Sequence, residues 1–279
     1  MRPLEKSSRP FFAALAAVGI GSVTFALAVC PLAAQTAAPP GVQAAIVGEA
    51  NAKTGEVSTE ELRQILAAGN AVVLDARPLR EYQLSHIPGA KNVAAKPGVA
   101  MSLYVSDVAE VERLVGGKKG TALVLYCNGP HCGKSKRLAE ELLGAGFTNV
   151  RRYQLGIPVW RALGGVCTIE PGAVKYVAEN DRTAVFVDAR EPSEFAAGSA
   201  PGARSLARSR LGPSKDTGEV KAAKDDGRLP MEDHNTRIVV FGADADQART
   251  VAEAVAREAF HNVTYFPGTY DEFRRSLQP

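Results

Sequence analysis

The stretch Ala122-Leu123-Val124-Leu125-Tyr126-Cys127-Asn128-Gly129-Pro130-His131-Cys132-Gly133-Lys134-Ser135 decides how this chain is read. Its five uninterrupted apolar residues are the pattern of a short strand buried on both faces, as in a parallel sheet. A glycine-containing loop follows. Beyond it Leu138, Leu142 and Leu143 fall at helical spacing, with Gly144 and Gly146 as a stop.

Working outward, the same alternation continues. Ser58 and Glu61 form a capping-box pattern that opens a helix through Leu62, Ile65 and Leu66, closed by Gly69. Ala71-Val72-Val73-Leu74 is a second apolar run, ending at Asp75, and Asn149–Tyr153 reads as a third strand. The pattern then returns. Val73-Leu74-Asp75-Ala76-Arg77 reappears as Phe186-Val187-Asp188-Ala189-Arg190, Pro88-Gly89-Ala90 as Pro201-Gly202-Ala203, and Phe147-Thr148-Asn149-Val150 as Phe260-His261-Asn262-Val263. One spacing of 113 residues relates Asp75 to Asp188, Gly89 to Gly202 and Phe147 to Phe260, which marks a duplication. The predicted fold class is α/β: two tandem domains, each a mostly parallel sheet flanked by helices. The boundaries expected are a first domain over 56–165 and a second over 166–279. The polar insert Ser209–Asn235, including Lys221–Asp226, reads as a solvated surface loop.

The N-terminus predicts export. Arg2, Lys6 and Arg9 precede an uncharged apolar run from Phe11 to Ala34, and a linker with Pro39-Pro40-Gly41 follows. This is the layout of a secretory signal peptide over 1–34 with a linker over 35–55, placing the chain in the periplasm. The alternatives are an uncleaved anchor facing the periplasm and, through Leu27-Ala28-Val29-Cys30, a lipoprotein box with a bulky Val29. A membrane is a partner only if the segment stays uncleaved. Removing 1–34 turns 33 basic against 30 acidic residues into 30 against 29, too balanced for nucleic acid as a partner. The mature chain keeps Cys127, Cys132 and Cys167, too few for a disulfide scaffold, and these with four histidines show no metal-ligand spacing. No metal or other cofactor is expected.

A cysteine where a parallel strand ends and a helix begins lies in the crevice where open α/β sheets bind ligands. Loop amides and the helix N-terminus there favour thiolate and attract an anion. Gly129 and Gly133 are expected to let the loop curl with positive φ, and His131, Lys134 and Lys136 to add positive charge at its mouth. Asp75 and Arg77, with their counterparts Asp188 and Arg190, read as a structural ion pair or helix caps. His86 reads as a turn residue, Trp160 as core or interface, and Cys167 as an inert thiol at the domain junction.

The Asp-x-Arg strand end, His86-Ile87-Pro88-Gly89-Ala90, the strand–Cys–loop–helix and Gly156-x-x-x-Trp160 together resemble the rhodanese family, over roughly 57–165 and again 168–277. The resemblance implies a sulfurtransferase with a persulfide carried on Cys127. The donor is a small sulfur-containing anion such as thiosulfate, and the acceptor is a thiol or cyanide. Asn128, Gly129, His131, Cys132, Gly133, Lys134 and Ser135 become the substrate-binding loop. The family's usual loop is shorter and often ends in Arg, where Cys132 and Gly133 stand here. Anion affinity then falls to the amides with Lys134 or His131, and phosphatase chemistry, which needs a fixed guanidinium, is disfavoured. Cys132 is either a resolving thiol that attacks a Cys127 persulfide or a residue packed under the loop. The second copy has Gly242-Ala243-Asp244-Ala245-Asp246-Gln247 in place of this loop, without a nucleophile, and reads as a degenerate packing partner. Two other functions stay open: a periplasmic thiol–disulfide or sulfide-handling protein using Cys127 and Cys132, and a non-catalytic binding module.

Overall fold

Two five-stranded, all-parallel sheets with the same strand order are present in the computed structural model, which describes residues 51–93 and 108–278. The predicted signal peptide and most of the predicted linker lie outside the described residues. The first repeat runs β1 (Gly55–Glu56), α1 (Thr59–Ala68), β2 (Val72–Asp75), α2 (Leu79–Leu84), β3 (Lys91–Asn92), α3 (Val108–Leu114), β4 (Leu123–Tyr126), α4 (Gly133–Gly144), β5 (Val150–Tyr153) and α5 (Gly156–Ala162). The second runs β6 (Cys167–Thr168), α6 (Pro171–Asn180), β7 (Val185–Asp188), α7 (Pro192–Ala197), β8 (Arg204–Ser205), α8 (Gly218–Asp225), β9 (Ile238–Phe241), α9 (Ala245–Ala256), β10 (Val263–Tyr265) and α10 (Tyr270–Ser276). The sheets are ordered β1-β5-β4-β2-β3 and β6-β10-β9-β7-β8. Among the described residues no helix is long and apolar enough to cross a membrane.

The central strand β4 sets the layering. Its residues are wholly buried, and their side chains alternate between the two faces. Leu123 and Leu125 enter a cluster with Leu138, Ala139 and Leu142 of α4. Val124 and Tyr126 enter a second cluster, with Leu62, Ile65 and Trp160 on the opposite side. Helix α1 starts as its sequence dictates: the Ser58 hydroxyl accepts the Glu61 N–H at 3.1 Å, and Gly69 closes it in the left-handed conformation. Only half of the predicted capping box forms, because the Glu61 carboxylate pairs with Arg151 instead.

The insert between β8 and β9 corrects the reading of Ser209–Asn235 as a solvated loop. Lys221–Asp225 lies in helix α8, which buries Val220 and Ala223. Lys224 bridges to the buried Glu258 at 2.6 Å, and Leu229 enters the core of the second repeat. Val220 and Ala223, three residues apart, form one apolar helical face that the surrounding charges mask in the sequence.

At the C-terminal end of β2 the Asp75 carboxylate is fully buried. It accepts the Arg77 main-chain N–H at 2.8 Å, Arg77 Nη2 at 2.6 Å and the Tyr126 hydroxyl at 2.6 Å. Burial, then the Asp75 charge, pushes the Tyr126 phenol up, so it remains a donor. Arg77 Nη2 also donates to the Ser85 carbonyl at 2.6 Å, fixing the corner after α2. That corner joins the repeats: His86 N–H donates to Thr168 O at 3.0 Å, and Thr168 N–H to His86 O at 2.8 Å. The His86 ring stacks on Tyr82 with centroids 3.9 Å apart, and its Nε2 lies 2.7 Å from Thr168 Oγ1. His86 thus holds the inter-repeat joint as well as the predicted turn.

Two outcomes follow. Asp75→Ala leaves Arg77 buried without its counter-ion and is expected to cost about 3–5 kcal/mol in urea unfolding. Burial lowers the His86 imidazole to about 4 in the folded chain, against 6.5 ordinarily. Between those values only the unfolded chain binds the proton, so folding stability must fall as pH drops from 6.5 toward 4 and stop falling on this account below it. The wild type should lose on the order of 3 kcal/mol more than His86→Gln across that window, measured by unfolding at pH 7 and pH 4.

Candidate active site

Strand β2 leads outward to β3 and strand β4 outward to β5, so their shared C-terminal end is the point where connections diverge. Such a point opens a crevice in an α/β sheet. The loop 127–132 starts there and delivers Cys132 to the N-cap position of α4. Of the two glycines expected to curl it, Gly129 does so, at φ +112°. Gly133 does not; it is the first residue of α4.

The loop is shaped from behind by Gly156, at φ +63°. A Cβ there would stand 2.4 Å from both the Cys127 carbonyl oxygen and the Gly129 nitrogen. The approach lets Ile157 N–H donate to the Cys127 carbonyl at 3.1 Å, while Cys132 N–H closes the loop onto the Gly129 carbonyl at 3.0 Å. Asn128 is exposed and its amide donates to Glu81 Oε2 at 2.6 Å. His131 and Gly133 are exposed, Lys134 half-buried, and Ser135 buried. Glu81 was not foreseen as a loop partner; 47 residues separate it from Asn128, and nothing local announces the contact.

The expectation of an accessible thiolate at Cys127 is not met. Cys127 is 1% exposed and belongs to the cluster under α4. Strand alternation is the reason: Leu123, Leu125 and Cys127 share one face, and α4 covers it. Its Sγ lies 3.2 Å from the Cys132 carbonyl oxygen and 3.4 Å from the Ser135 hydroxyl. A carbonyl oxygen in that position accepts S–H and opposes a negative charge on sulfur. The hydrogen bond with Cys132, then burial, pushes the Cys127 thiol up. Cys132 goes the other way. Half-buried at the N-cap and without a side-chain capping bond, it is drawn below the ordinary thiol range by the neighbouring Cys127 thiol first and by the nearby Lys134 and Asn128 amides, against its burial. The two thiols titrate as a pair, and a proton lost there belongs to the pair rather than to one sulfur. Cys167 is a free thiol buried beside Arg161; burial pushes it up. Among the described residues no group of three His, Cys, Asp or Glu side chains is placed to hold a metal ion.

In the second repeat the corresponding turn satisfies itself. Asp244 is the N-cap of α9 and accepts Gln247 N–H at 2.8 Å, and Gln247 Oε1 accepts Ala243 N–H at 2.7 Å. A carboxylate there occupies the place that Cys132 holds in the first repeat.

The family model for the Rhodanese-like domain matches twice, at residues 58–163 and 173–276. A curated relative, the HTH-type transcriptional regulator Rv0324 of Mycobacterium tuberculosis, is 29% identical over 109 residues, 39% of this chain and 42% of that protein. The chain thus spans less than half the length of this relative. Solved structures with likeness include the thiosulfate sulfurtransferase of Pseudomonas aeruginosa, at 17% identity over 81% of this chain and 43% of that one, TM-score 0.34. SseA of Escherichia coli, a 3-mercaptopyruvate sulfotransferase, is 19% identical over 78% of this chain and 99% of its own, TM-score 0.34. The anaerobic ergothioneine biosynthesis enzyme of Chlorobium limicola is 16% identical over 80% and 61%, TM-score 0.34.

Gly156→Ala should spread the loop, since both clashing atoms are main-chain. A loss of about 1–3 kcal/mol in thermal or urea unfolding is expected, together with faster alkylation of Cys127 as its cover lifts.

Proposed function

The chain belongs to the rhodanese-like domain family, and on that footing we propose that it is a sulfurtransferase whose first repeat carries the chemistry. Sulfane sulfur is held as a persulfide on Cys127 and passed to a thiol or cyanide acceptor. One observation carries the reading: a dithiol, Cys127 with Cys132, sits at the end of the central strand against the N–H groups of Asn128, Lys134 and Ser135. Amide donors of this kind stabilise the anionic sulfur that a persulfide presents. Lys134 and His131 flank the loop and attract an anionic donor. The second repeat serves as scaffold, its turn closed by Asp244 and Gln247. In this proposal the chain works in the periplasm after export through its N-terminal segment.

A second reading, dithiol–disulfide exchange, is favoured by two free thiols on one short loop, with Cys127 Sγ 3.2 Å from the Cys132 carbonyl oxygen. Intact masses after incubation with thiosulfate and, separately, polysulfide distinguish them. Sulfur transfer predicts a gain of one sulfur that cyanide removes as thiocyanate and that is lost in Cys127→Ser/Cys132→Ser. A loss of two hydrogens requiring both cysteines supports exchange instead. No adduct and no turnover with either donor would leave only a binding module.

A further inference from the structure

We infer that Glu81 of α2 selects the sulfur donor by charge. Its carboxylate disfavours small dianions such as thiosulfate and favours persulfides that carry an ammonium group. This rests on the sulfur-transfer reading and names the donor class for the same site.

The duplication isolates the cause. Glu81 and Glu194 are counterparts at the 113-residue spacing, and so are Pro78 and Glu191. In the second repeat Glu191 is the N-cap of α7, and its N–H donates to the Glu194 carboxylate at 3.1 Å. That carboxylate is used by its own helix, as in a capping box. In the first repeat the N-cap of α2 is Pro78, which has no N–H to offer. The Glu81 carboxylate reaches the loop instead and accepts the side-chain amide of Asn128, the residue after Cys127, at 2.6 Å. An uncharged amide leaves the carboxylate its negative charge. The arginines close to it in sequence are engaged elsewhere, Arg77 with buried Asp75 and Arg80 over the Tyr176 ring, 4.1 Å from its centroid. The loop therefore begins beside an anion and runs toward the basic residues His131 and Lys134. Repulsion by Glu81 acts on both charges of a dianion, whereas an ammonium group beside the sulfane sulfur is attracted to it. In the transfer step the Cys127 thiolate bonds to the outer sulfur of the donor R–S–SH, the S–S bond breaks, and RS− leaves with the electron pair.

Two methanethiosulfonates of similar size and opposite charge, the 2-(trimethylammonio)ethyl and 2-sulfonatoethyl reagents, probe the charge at the loop thiols without any sulfur donor. Labels are located by tandem mass spectrometry. In Glu81→Gln, which keeps an oxygen for the Asn128 amide, the ratio of cationic to anionic modification rates should fall about fivefold at low salt. At about 1 M NaCl the variant and wild type should agree within about twofold. A change in thiol exposure or acidity moves both rates together and cancels in the ratio. An unchanged ratio overturns the inference and makes Glu81 a brace for the loop alone. In turnover with cyanide, Glu81→Gln should lower KM for thiosulfate about fivefold and raise it for cysteamine persulfide, with both kcat values within about twofold of wild type. Equal changes for the two donors overturn the selection while leaving sulfur transfer standing. No turnover by wild type with either donor removes the sulfur-transfer reading, and the reagent ratio still decides whether Glu81 charges the loop.

Discussion

A carboxylate and a guanidinium taken wholly out of water hold the first repeat in register. Asp75 and Arg77 pay a desolvation cost that only complete pairing offsets. The pairing is complete because three parts of the fold converge on it. The end of β2 supplies the ions, the end of β4 supplies the Tyr126 hydroxyl, and the corner after α2 supplies the Ser85 carbonyl. Cys127 is the next residue after Tyr126. The network that satisfies a buried charge therefore also fixes where the reactive loop leaves the sheet. Through His86 it reaches the second repeat as well, since the corner held by Arg77 forms the bridge to Thr168.

The second repeat shows which parts of this arrangement serve structure and which serve chemistry. Asp188 and Arg190 repeat the ion pair, and Arg190 donates to Gly198 O as Arg77 does to Ser85 O. The β9 counterpart of Tyr126 is Phe241, which has no hydroxyl, and Ser199 supplies the missing donor to Asp188 at 2.6 Å. The scaffold is thus preserved by a substitution from a different element. The loop is not preserved. Its amides are taken by Asp244 and Gln247, and the sulfur is gone, so fold and site have separated within one chain.

Much of the fold was legible because its signals are local. Uninterrupted apolar runs at Leu123–Tyr126 and Ile238–Phe241, short and followed by glycine-containing turns, read as strands covered on both sides, and the Ser58 cap and Gly69 stop bound a helix by short-range hydrogen bonding. The insert before β9 was misread for the complementary reason. Val220 and Ala223 are too few and too small to stand out among lysines and aspartates, and their core neighbours, like the Glu258 partner of Lys224 34 residues away, lie far along the chain. At the site, the strand-end cysteine and the loop were visible, and the alternation that buries Cys127 was present in Leu123 and Leu125 as well. Glu81 against Asn128 was not, because no pattern in a sequence encodes a contact across 47 residues.

By itself the sequence determined the duplication, the parallel sheets, the export-type N-terminus as an expectation and the place along the chain where a thiol meets a helix start. Each depends on neighbours within a few residues or on a repeated register. The tertiary structure alone decided which of the two thiols is buried and which half-buried, and how Gly156 presses the loop into shape. Those outcomes turn on atoms a few ångströms apart in space and distant along the chain, where burial and the orientation of carbonyl and N–H groups set the energy of a charge.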